Sequence, residues 1–185
     1  MAGPAGRQQN GHVPSSPTPI RTAGPDQLEA LRAIEVAAGR RFADIGMASI
    51  ADAPPLPAEE LATYQRDGRA WVYSDPEAGP VGYLLAEPVD GNAHIQQVSV
   101  HPTFAHQGIG RRLIDHLCGW ARDEGRPAVT LTTFALVPWN APYYRRCGFR
   151  VMDGHELGPD LLRLRRAERA EGLDTEPRLA MIRSV

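Results

Sequence analysis

Two kinds of apolar spacing succeed one another along the chain. Alternating apolar positions rich in β-branched residues predict strands at 20–22, 70–74, 80–86, 93–100, 128–134 and 178–183. Apolar residues at three- and four-residue steps predict helices at 25–39, 58–66, 109–124 and 161–169. A helix separates the fourth and fifth strands, so these two should run parallel, whereas short turns make the preceding strands an antiparallel meander. The pattern predicts an α/β fold with a mixed, mostly antiparallel sheet.

The segment 40–57 follows neither spacing. It combines a proline-rich stretch with Phe42, Ile45 and Met47, large apolar residues that a plain linker does not need. Two interpretations are open. Either Phe42 and Ile45 belong to the core while Asp44 caps a turn, or these side chains line a binding site. The segment is predicted to be a loop.

Composition limits the chain to one folded domain and to few classes of partner. Its 185 residues suit a single domain over 20–185, after a disordered tail at 1–19 rich in Gly, Pro, Ser and Gln. A net charge of −2 argues against nucleic-acid binding. No apolar run suits a membrane span or a secretory signal, so we expect a cytoplasmic protein. Cys118 and Cys147 stand apart from other ligand residues, which indicates reduced thiols and no metal site.

The stretch from Val98 to Arg112 reads as a strand, a tight turn and the opening of a helix. Pro102 ends the strand, and the apolar stripe of the helix begins shortly afterwards. The first N–H groups of a helix lack intrahelical acceptors and carry partial positive charge, so they attract phosphate. Gly108 and Gly110 allow a ligand to approach the main chain closely, and Arg111 adds formal charge. The stretch therefore predicts a phosphate-binding turn.

This turn resembles motif A of the GNAT superfamily, the acyl-CoA-dependent N-acyltransferases. The usual pattern is Arg or Gln, two variable residues, Gly, one variable residue, then Gly or Ala. Gln107-Gly108-Ile109-Gly110 supplies its second half, and Ala105 stands at its first position. GNAT enzymes also show an Asn followed by a short helix with Tyr and then Gly-Phe, a pattern that Asn140, Tyr144 and Gly148-Phe149 match.

The resemblance covers 20–153, with a motif core at 93–153, and implies the GNAT fold. In that fold two central parallel strands splay apart, and the pantetheine arm of acetyl-CoA, the acyl donor, lies in the gap without a metal. The N–H of Val98 would then polarise the thioester carbonyl. The residues implied to bind acetyl-CoA are Val98, Ser99, Val100, His106, Gln107, Gly108, Ile109, Gly110, Arg111, Asn140 and Tyr144.

The resemblance also implies catalytic groups. Tyr144 stands where GNAT enzymes often place the general acid that protonates the departing thiolate, although it also fits a packing role against pantetheine. His94 has the spacing before Val98 at which some members carry a catalytic Glu, and imidazole titrates near neutrality. A structural role for His94 is open, and Glu87 is the alternative base. The residues implied on the acceptor side are Glu35, Phe42, Asp44, Ile45 and Met47.

The predicted function is transfer of the acetyl group of acetyl-CoA to a primary amine of a small molecule, by direct attack in a ternary complex. Acidic residues on the acceptor side favour a cationic amine. Three alternatives stay open: a non-catalytic acyl-CoA-binding module, a peptide or protein N-acetyltransferase, and an enzyme for a larger acyl group. The last strand, as a sheet edge, would allow a homodimer. The charged helix at 161–169 is expected to face solvent, with Arg165 and Glu168 able to pair.

Overall fold

The computed structural model describes residues 19–173 and 176–185, whose seven strands form one mixed sheet. In chain order the strands are β1 (Ile20–Thr22), β2 (Ala70–Asp75), β3 (Gly79–Val89), β4 (Asn92–Val100), β5 (Ala128–Phe134), β6 (Arg150–Val151) and β7 (Arg178–Ser184). Their spatial order is β1-β2-β3-β4-β5-β7-β6. Neighbouring strands are antiparallel except β4 and β5, which are parallel. The predicted mixed sheet is confirmed.

Helices flank this sheet. They are α1 (Leu28–Gly39), α2 (Ala48–Ala51), α3 (Ala58–Arg66), α4 (Ile109–Asp123), α5 (Ala141–Arg146) and α6 (Pro159–Ala170). The helices predicted from apolar spacing are all present, with ends that shift by up to three residues, and a 3₁₀ turn at Pro25–Gln27 precedes α1. Within the described residues, none is both long enough and apolar enough to cross a bilayer.

The segment 40–57 is more regular than predicted. It contains a 3₁₀ segment, Arg40–Ile45, and the single-turn helix α2 in place of one continuous loop. Gly46 ends the 3₁₀ segment with a left-handed φ of 80°. Met47 is buried in a small cluster with Phe134 of β5. This long-range docking stabilises turns that local spacing does not indicate.

The last strand lies inside the sheet. β7 pairs with β5 along its whole length and with β6 through Arg150 and Val151. The prediction that β7 is a sheet edge is therefore wrong, and the argument for a homodimer through that edge falls with it. β6 is too short for an apolar period to reveal, so the sequence did not indicate the strand that covers β7.

Alternation along the central strands divides the core between the two faces of the sheet. On one face, Leu84 and Ile95 pack with Leu117 of α4. On the other face, Tyr83 packs with Leu31 of α1 and with residues of α3. We call these the α4 face and the α1 face. The sheet therefore separates two apolar clusters, one on each face.

Most of the predicted tail, residues 1–18, lies outside the described residues. The last residue of that tail, Pro19, contacts the sheet, because its carbonyl accepts a hydrogen bond from the N–H of Ser74 at 2.9 Å. Pro19 thus contacts the sheet although it lies one residue before the predicted start of the domain.

The C-terminal helix is tied to the sheet. Leu161 is buried, and Glu168 forms an ion pair with Arg178 of β7 at 2.8 Å and accepts a hydrogen bond from Thr132 of β5. Arg165 donates to the carbonyl of Arg178 at 2.8 Å. The expected pairing of Arg165 with Glu168 is replaced by these contacts to β5 and β7. α6 is thus a surface helix whose inner side packs on the sheet, and helical periodicity does not reveal those contacts with distant strands.

Asp90 caps α6 from the turn between β3 and β4. Its carboxylate oxygens accept hydrogen bonds from the N–H groups of Asp160 at 3.0 Å and Leu161 at 2.9 Å. We expect Asp90→Ala to lower the free energy of unfolding by about 1–2 kcal/mol in a urea titration, because two first-turn donors lose this acceptor. Asp90→Asn keeps one acceptor oxygen and tolerates the left-handed φ of 47°, so it should lose less. An alanine variant as stable as the wild type would contradict the capping role.

Candidate active site

β4 and β5 pair at one end and separate at the other. In the described chain their ladder contains three residue pairs, from Ala93 opposite Val129 to Ile95 opposite Leu131. Beyond Ile95, β4 keeps its partner β3 as far as Val100, while β5 continues beside β7. The splayed strands expected from the resemblance are present. We call the space between them the cleft, and its main-chain groups can hydrogen-bond a ligand.

A β-bulge lies where the cleft opens. Leu85 of β3 is opposite Gln97, whereas the next residue, Ala86, is opposite Ile95. Gln96 is therefore an extra residue in β4. Because side chains alternate along a strand, one extra residue moves every following side chain to the other face.

The shifted alternation sorts the side chains in the open half of β4. Val98 and Val100 pack against the apolar core of the α4 face. Gln97 and Ser99 lie on the α1 face, where the Gln97 Nε2 donates to the Ser99 Oγ at 2.9 Å and both contact the Tyr83 hydroxyl. The bulge thus gives the strand at the cleft one apolar face and one polar face.

α4 begins at a turn that suits an anion. His106 and Gly108 adopt left-handed φ angles of 63° and 76°, and a Cβ on Gly108 would meet nothing within 4 Å. No side chain of the described residues caps the helix. The N–H groups of the first turn, including those of Ile109 and Gly110, are therefore available to phosphate oxygens. The exposed side chains of His106 and Gln107 lie beside them.

The two arginines in the first turn of α4 have protein partners. Arg111 donates to the carbonyl of Arg146 at 3.1 Å and lies 3.6 Å from the Asp115 carboxylate. Arg112 donates to the Tyr73 hydroxyl at 2.8 Å. The two guanidinium groups add positive charge near the first turn, and each is already bound to a protein partner. A contact from Arg111 to an anion would accordingly use its main-chain N–H.

α5 places Asn140 and Tyr144 on the α4 face beside β5. The Asn140 Nδ2 donates to the Oγ1 of Thr133 at 2.8 Å, which ties the start of α5 to a strand that borders the cleft. The Tyr144 ring packs edge-on against Tyr143 and Phe149, with 5.5 and 5.9 Å between ring centroids. Burial raises the pKa of the Tyr144 hydroxyl, which therefore stays protonated.

His94 and Glu87 lie beside the closed part of the ladder. His94 is 1% exposed, and its Nδ1 is 3.0 Å from the Thr130 Oγ1. Burial lowers the pKa of His94 to about 4. The ring is enclosed and lies in the closed part of the ladder, and a catalytic role for His94 stays a prediction. Glu87, opposite His94 on β3, is half-buried, and its pKa is raised by burial while Arg69 opposes the rise.

The 3₁₀ segment that follows α1 lies at the open end of the cleft. Phe42 packs edge-on against Phe134 at 5.8 Å and against Trp139 at 5.5 Å between ring centroids. This aromatic cluster attaches the segment to the end of β5. Asp44 and Ile45 are exposed on the same segment. Phe42 thus packs in this cluster while remaining partly exposed, and Asp44 and Ile45 face solvent.

Glu35 reaches from α1 to β3. Its Oε2 accepts hydrogen bonds from the Tyr83 hydroxyl at 2.9 Å and from the N–H of Leu56 at 3.3 Å. Burial raises the pKa of Glu35. Tyr83 and Gln97 join Glu35 to β4 in a polar chain that the sequence analysis missed. The available clue was the doublet Gln96-Gln97, which interrupts the alternation of apolar and polar residues in β4.

These groups have complementary chemical roles. The cleft and its surroundings offer main-chain N–H groups, the uncapped first turn of α4, the protonated hydroxyl of Tyr144 and the partly buried carboxylate of Glu35. The described residues contain no group of three or more His, Cys, Asp or Glu side chains placed to hold a metal ion. Cys118 and Cys147 are buried, and burial raises the pKa of both thiols, which disfavours them as thiolate nucleophiles. The arrangement suits direct transfer of a group from an anionic carrier to a second substrate.

Comparison with known proteins identifies one family. The sequence model described as the Acetyltransferase (GNAT) family matches residues 38–149. Among solved structures, the chain is similar to the ribosomal-protein-S18-alanine N-acetyltransferase from Escherichia coli. The two are 19% identical over 90% of this chain and 92% of that chain, with a TM-score of 0.61.

Two further structures show the same fold. Rv2747 from Mycobacterium tuberculosis, solved in complex with CoA, is 20% identical over 90% of this chain and 98% of that chain, with a TM-score of 0.65. N-acetylglutamate synthase from Neisseria gonorrhoeae, solved with coenzyme A and N-acetyl-glutamate, is 16% identical over 89% of this chain and 34% of that chain, also with a TM-score of 0.65. The named acceptors of these proteins thus include both a protein and a small molecule.

Proposed function

The chain belongs to the GNAT acetyltransferase family, and on that premise we propose that it transfers the acetyl group of acetyl-CoA to a primary amine of a small, cationic molecule. The observation that carries the proposal is the β4–β5 cleft, which opens after Ile95 on the strand that leads into the first turn of α4. The diphosphate would bind the N–H groups of that turn, and the pantetheine arm would hydrogen-bond the main chain of Val98 and Val100.

The donor thioester would lie beside groups that stabilise its reaction. The N–H of Val98 would donate to the thioester carbonyl, whose oxygen gains negative charge as the amine attacks. The Nδ2 of Asn140 is engaged by Thr133, so Asn140 would contact the donor through its amide oxygen. Tyr144 would give its proton to the departing thiolate. The buried thiols of the chain support direct attack in a ternary complex rather than transfer through an acyl-cysteine.

The charge of the acceptor side supports a cationic amine. Glu35 and Glu87 lie on the α1 face, and Asp44 is exposed on the 3₁₀ segment at the mouth of the cleft. Carboxylates on the acceptor side attract ammonium groups and repel carboxylates, and Arg32, Arg41 and Arg69 offset part of this charge. A small cationic amine, such as a polyamine or an aminoglycoside, is therefore the proposed acceptor class.

Release of free CoA thiol from acetyl-CoA tests the proposed function. We expect small cationic amines to give the highest kcat/KM, neutral amino-acid amides lower values and acidic amines such as glutamate the lowest. Faster reaction of short peptides through their N-termini would contradict a small-molecule acceptor. CoA binding without turnover of any amine would favour a non-catalytic module. Higher turnover with longer acyl-CoA donors would contradict acetyl as the transferred group.

A further inference from the structure

We propose that Glu35 accepts the proton of the acceptor amine and that Tyr83 positions its carboxylate beside the open half of β4. This inference rests on the proposed acetyl transfer. It assigns the base to a residue of α1 and assigns a positioning role to a buried tyrosine of β3.

The Glu35 carboxylate is held by groups from two distant parts of the chain. Tyr83 is 0% exposed and donates its hydroxyl to the Glu35 Oε2 at 2.9 Å. The N–H of Leu56 donates to the same oxygen at 3.3 Å, and the Leu56 carbonyl accepts from the Arg32 Nε at 3.2 Å. Both hydrogen bonds that fix Glu35 therefore involve Oε2, and its Oε1 would be the oxygen that meets the amine.

The other end of the polar chain reaches the strand that would hold the thioester. Tyr83 lies opposite Ser99 in the β3–β4 register, and Gln97 donates to the Ser99 hydroxyl at 2.9 Å. These two residues flank Val98, whose N–H would polarise the thioester carbonyl. The bulge at Gln96 puts both polar side chains on the face from which α1 presents Glu35. An amine that contacts Glu35 would thus approach the carbonyl from the α1 face.

The register separates Glu35 from the two bases expected from the sequence. His94 and Glu87 lie opposite each other before the bulge, and His94 also pairs with Thr130 in the closed ladder. Tyr83, the partner of Glu35, lies beyond the bulge, opposite a residue of the open half of β4. Of these three titratable side chains, Glu35 is the one whose hydrogen-bond partner, Tyr83, lies opposite the open half of β4 and beside Gln97 and Ser99.

The charges around Glu35 support this role. Burial raises its pKa, Glu60 of α3 acts in the same direction, and Tyr83, the N–H of Leu56 and Arg32 of α1 oppose the rise. A base is most effective when its pKa approaches the working pH. Burial and the Glu35 charge hold the pKa of Tyr83 well above its ordinary value, so Tyr83 remains a donor and Glu35 is the group that takes the proton.

In the proposed acetyl transfer, the nitrogen of the ammonium substrate loses two protons before the amide is complete. An ammonium substrate gives one proton to Glu35 and becomes the free amine. Its lone pair then forms the C–N bond, the C–S bond breaks, and the electron pair of that bond leaves on sulfur. The second proton leaves the nitrogen as the intermediate collapses and replaces the one that Tyr144 donates to the thiolate. Glu35 returns its proton to solvent, and acetylated amine and CoA thiol are the products.

The test compares pH profiles of kcat for wild type, Glu35→Gln and Tyr83→Phe, with the best cationic amine from the acceptor panel. Glu35→Gln keeps an oxygen for Tyr83 and Leu56 but removes the charge, and we expect kcat to fall about 100-fold. In wild type, kcat should fall as the pH is lowered, and the midpoint, the pH at which it is half-maximal, should lie above the ordinary pKa of glutamate. Tyr83→Phe removes a donor that stabilises the charged carboxylate, so its midpoint should move to higher pH.

Tyr64→Phe is the matched control, because Tyr64 is a second buried tyrosine of the same cluster and should keep the wild-type midpoint. Circular dichroism checks the fold, and Glu35→Asp, which keeps the charge, should retain more activity than Glu35→Gln. A Glu35→Gln enzyme with wild-type kcat, or one changed in acceptor KM alone, overturns the inference. A Tyr83→Phe midpoint equal to wild type overturns the positioning role. Absence of wild-type turnover would instead overturn the proposed function together with this inference.

Discussion

Tyr144→Phe is expected to lower the kcat of acetyl transfer by about 100-fold while the KM for acetyl-CoA changes little. The hydroxyl would act only as the C–S bond breaks, when sulfur gains charge, so its loss affects the transition state more than binding. Burial raises the pKa of Tyr144 and would also raise that of a thiol beside it, which preserves the driving force for proton transfer. Steady-state kinetics of CoA thiol release measure both constants.

Phenylalanine suits this test because Tyr144 packs through its ring against Tyr143 and Phe149. The substitution removes the proton and keeps the packing. Tyr143→Phe serves as the control, because it removes a neighbouring hydroxyl that hydrogen-bonds Cys147. We expect this control to affect kcat far less. If the two variants lose kcat equally, the hydroxyl of Tyr144 has no specific role and its place on α5 is one of packing.

Glu168→Ala is expected to lower the free energy of unfolding by about 3 kcal/mol, because it leaves the Arg178 guanidinium buried without its counter-charge. The side chains of Glu168 and Arg178 are 14% and 10% exposed, and their ion pair measures 2.8 Å. Arg178 also donates to the Thr132 Oγ1 at 3.2 Å, and its Cζ lies 4.7 Å from the centroid of the Phe134 ring. Urea titration followed by circular dichroism measures the loss.

Two further variants distinguish the effect of losing a buried ion pair from the effect of losing any ion pair. Arg163→Ala breaks an exposed pair with Asp160 on the same helix, and a change below about 1 kcal/mol is expected. The double variant Glu168→Leu with Arg178→Met replaces the buried pair by apolar side chains and should recover much of the loss. Equal destabilisation by Glu168→Ala and Arg163→Ala would contradict the special contribution of the buried pair.

The regular elements follow from the sequence because each has a local cause. The helix at α4 was predictable from its apolar stripe and the strand at β5 from its β-branched residues. The parallel pairing of β4 with β5 followed from the helix between them. The turn before α4 was also predictable, because Gly108 and Gly110 open a helix shortly after a strand. The family pattern added Asn140 and Tyr144.

The remaining features depend on residues far apart in the chain. The ion pair between Glu168 and Arg178 and the docking of Met47 against Phe134 arise only when separate strands meet. The bulge at Gln96 reverses the side-chain alternation of β4, and the local pattern does not indicate it. His94 illustrates the same limit. An imidazole suggests a base, but only the strand pairing shows that His94 lies in the closed part of the β4–β5 ladder.

The cap that Asp90 provides for α6 bears on the order in which the protein folds. Its two hydrogen bonds join positions 70 and 71 residues apart in sequence. The loop between them must close, at an entropic cost, before the cap can form. α6 is therefore expected to settle on the sheet late in folding, so that the cap retards unfolding much more than it accelerates refolding.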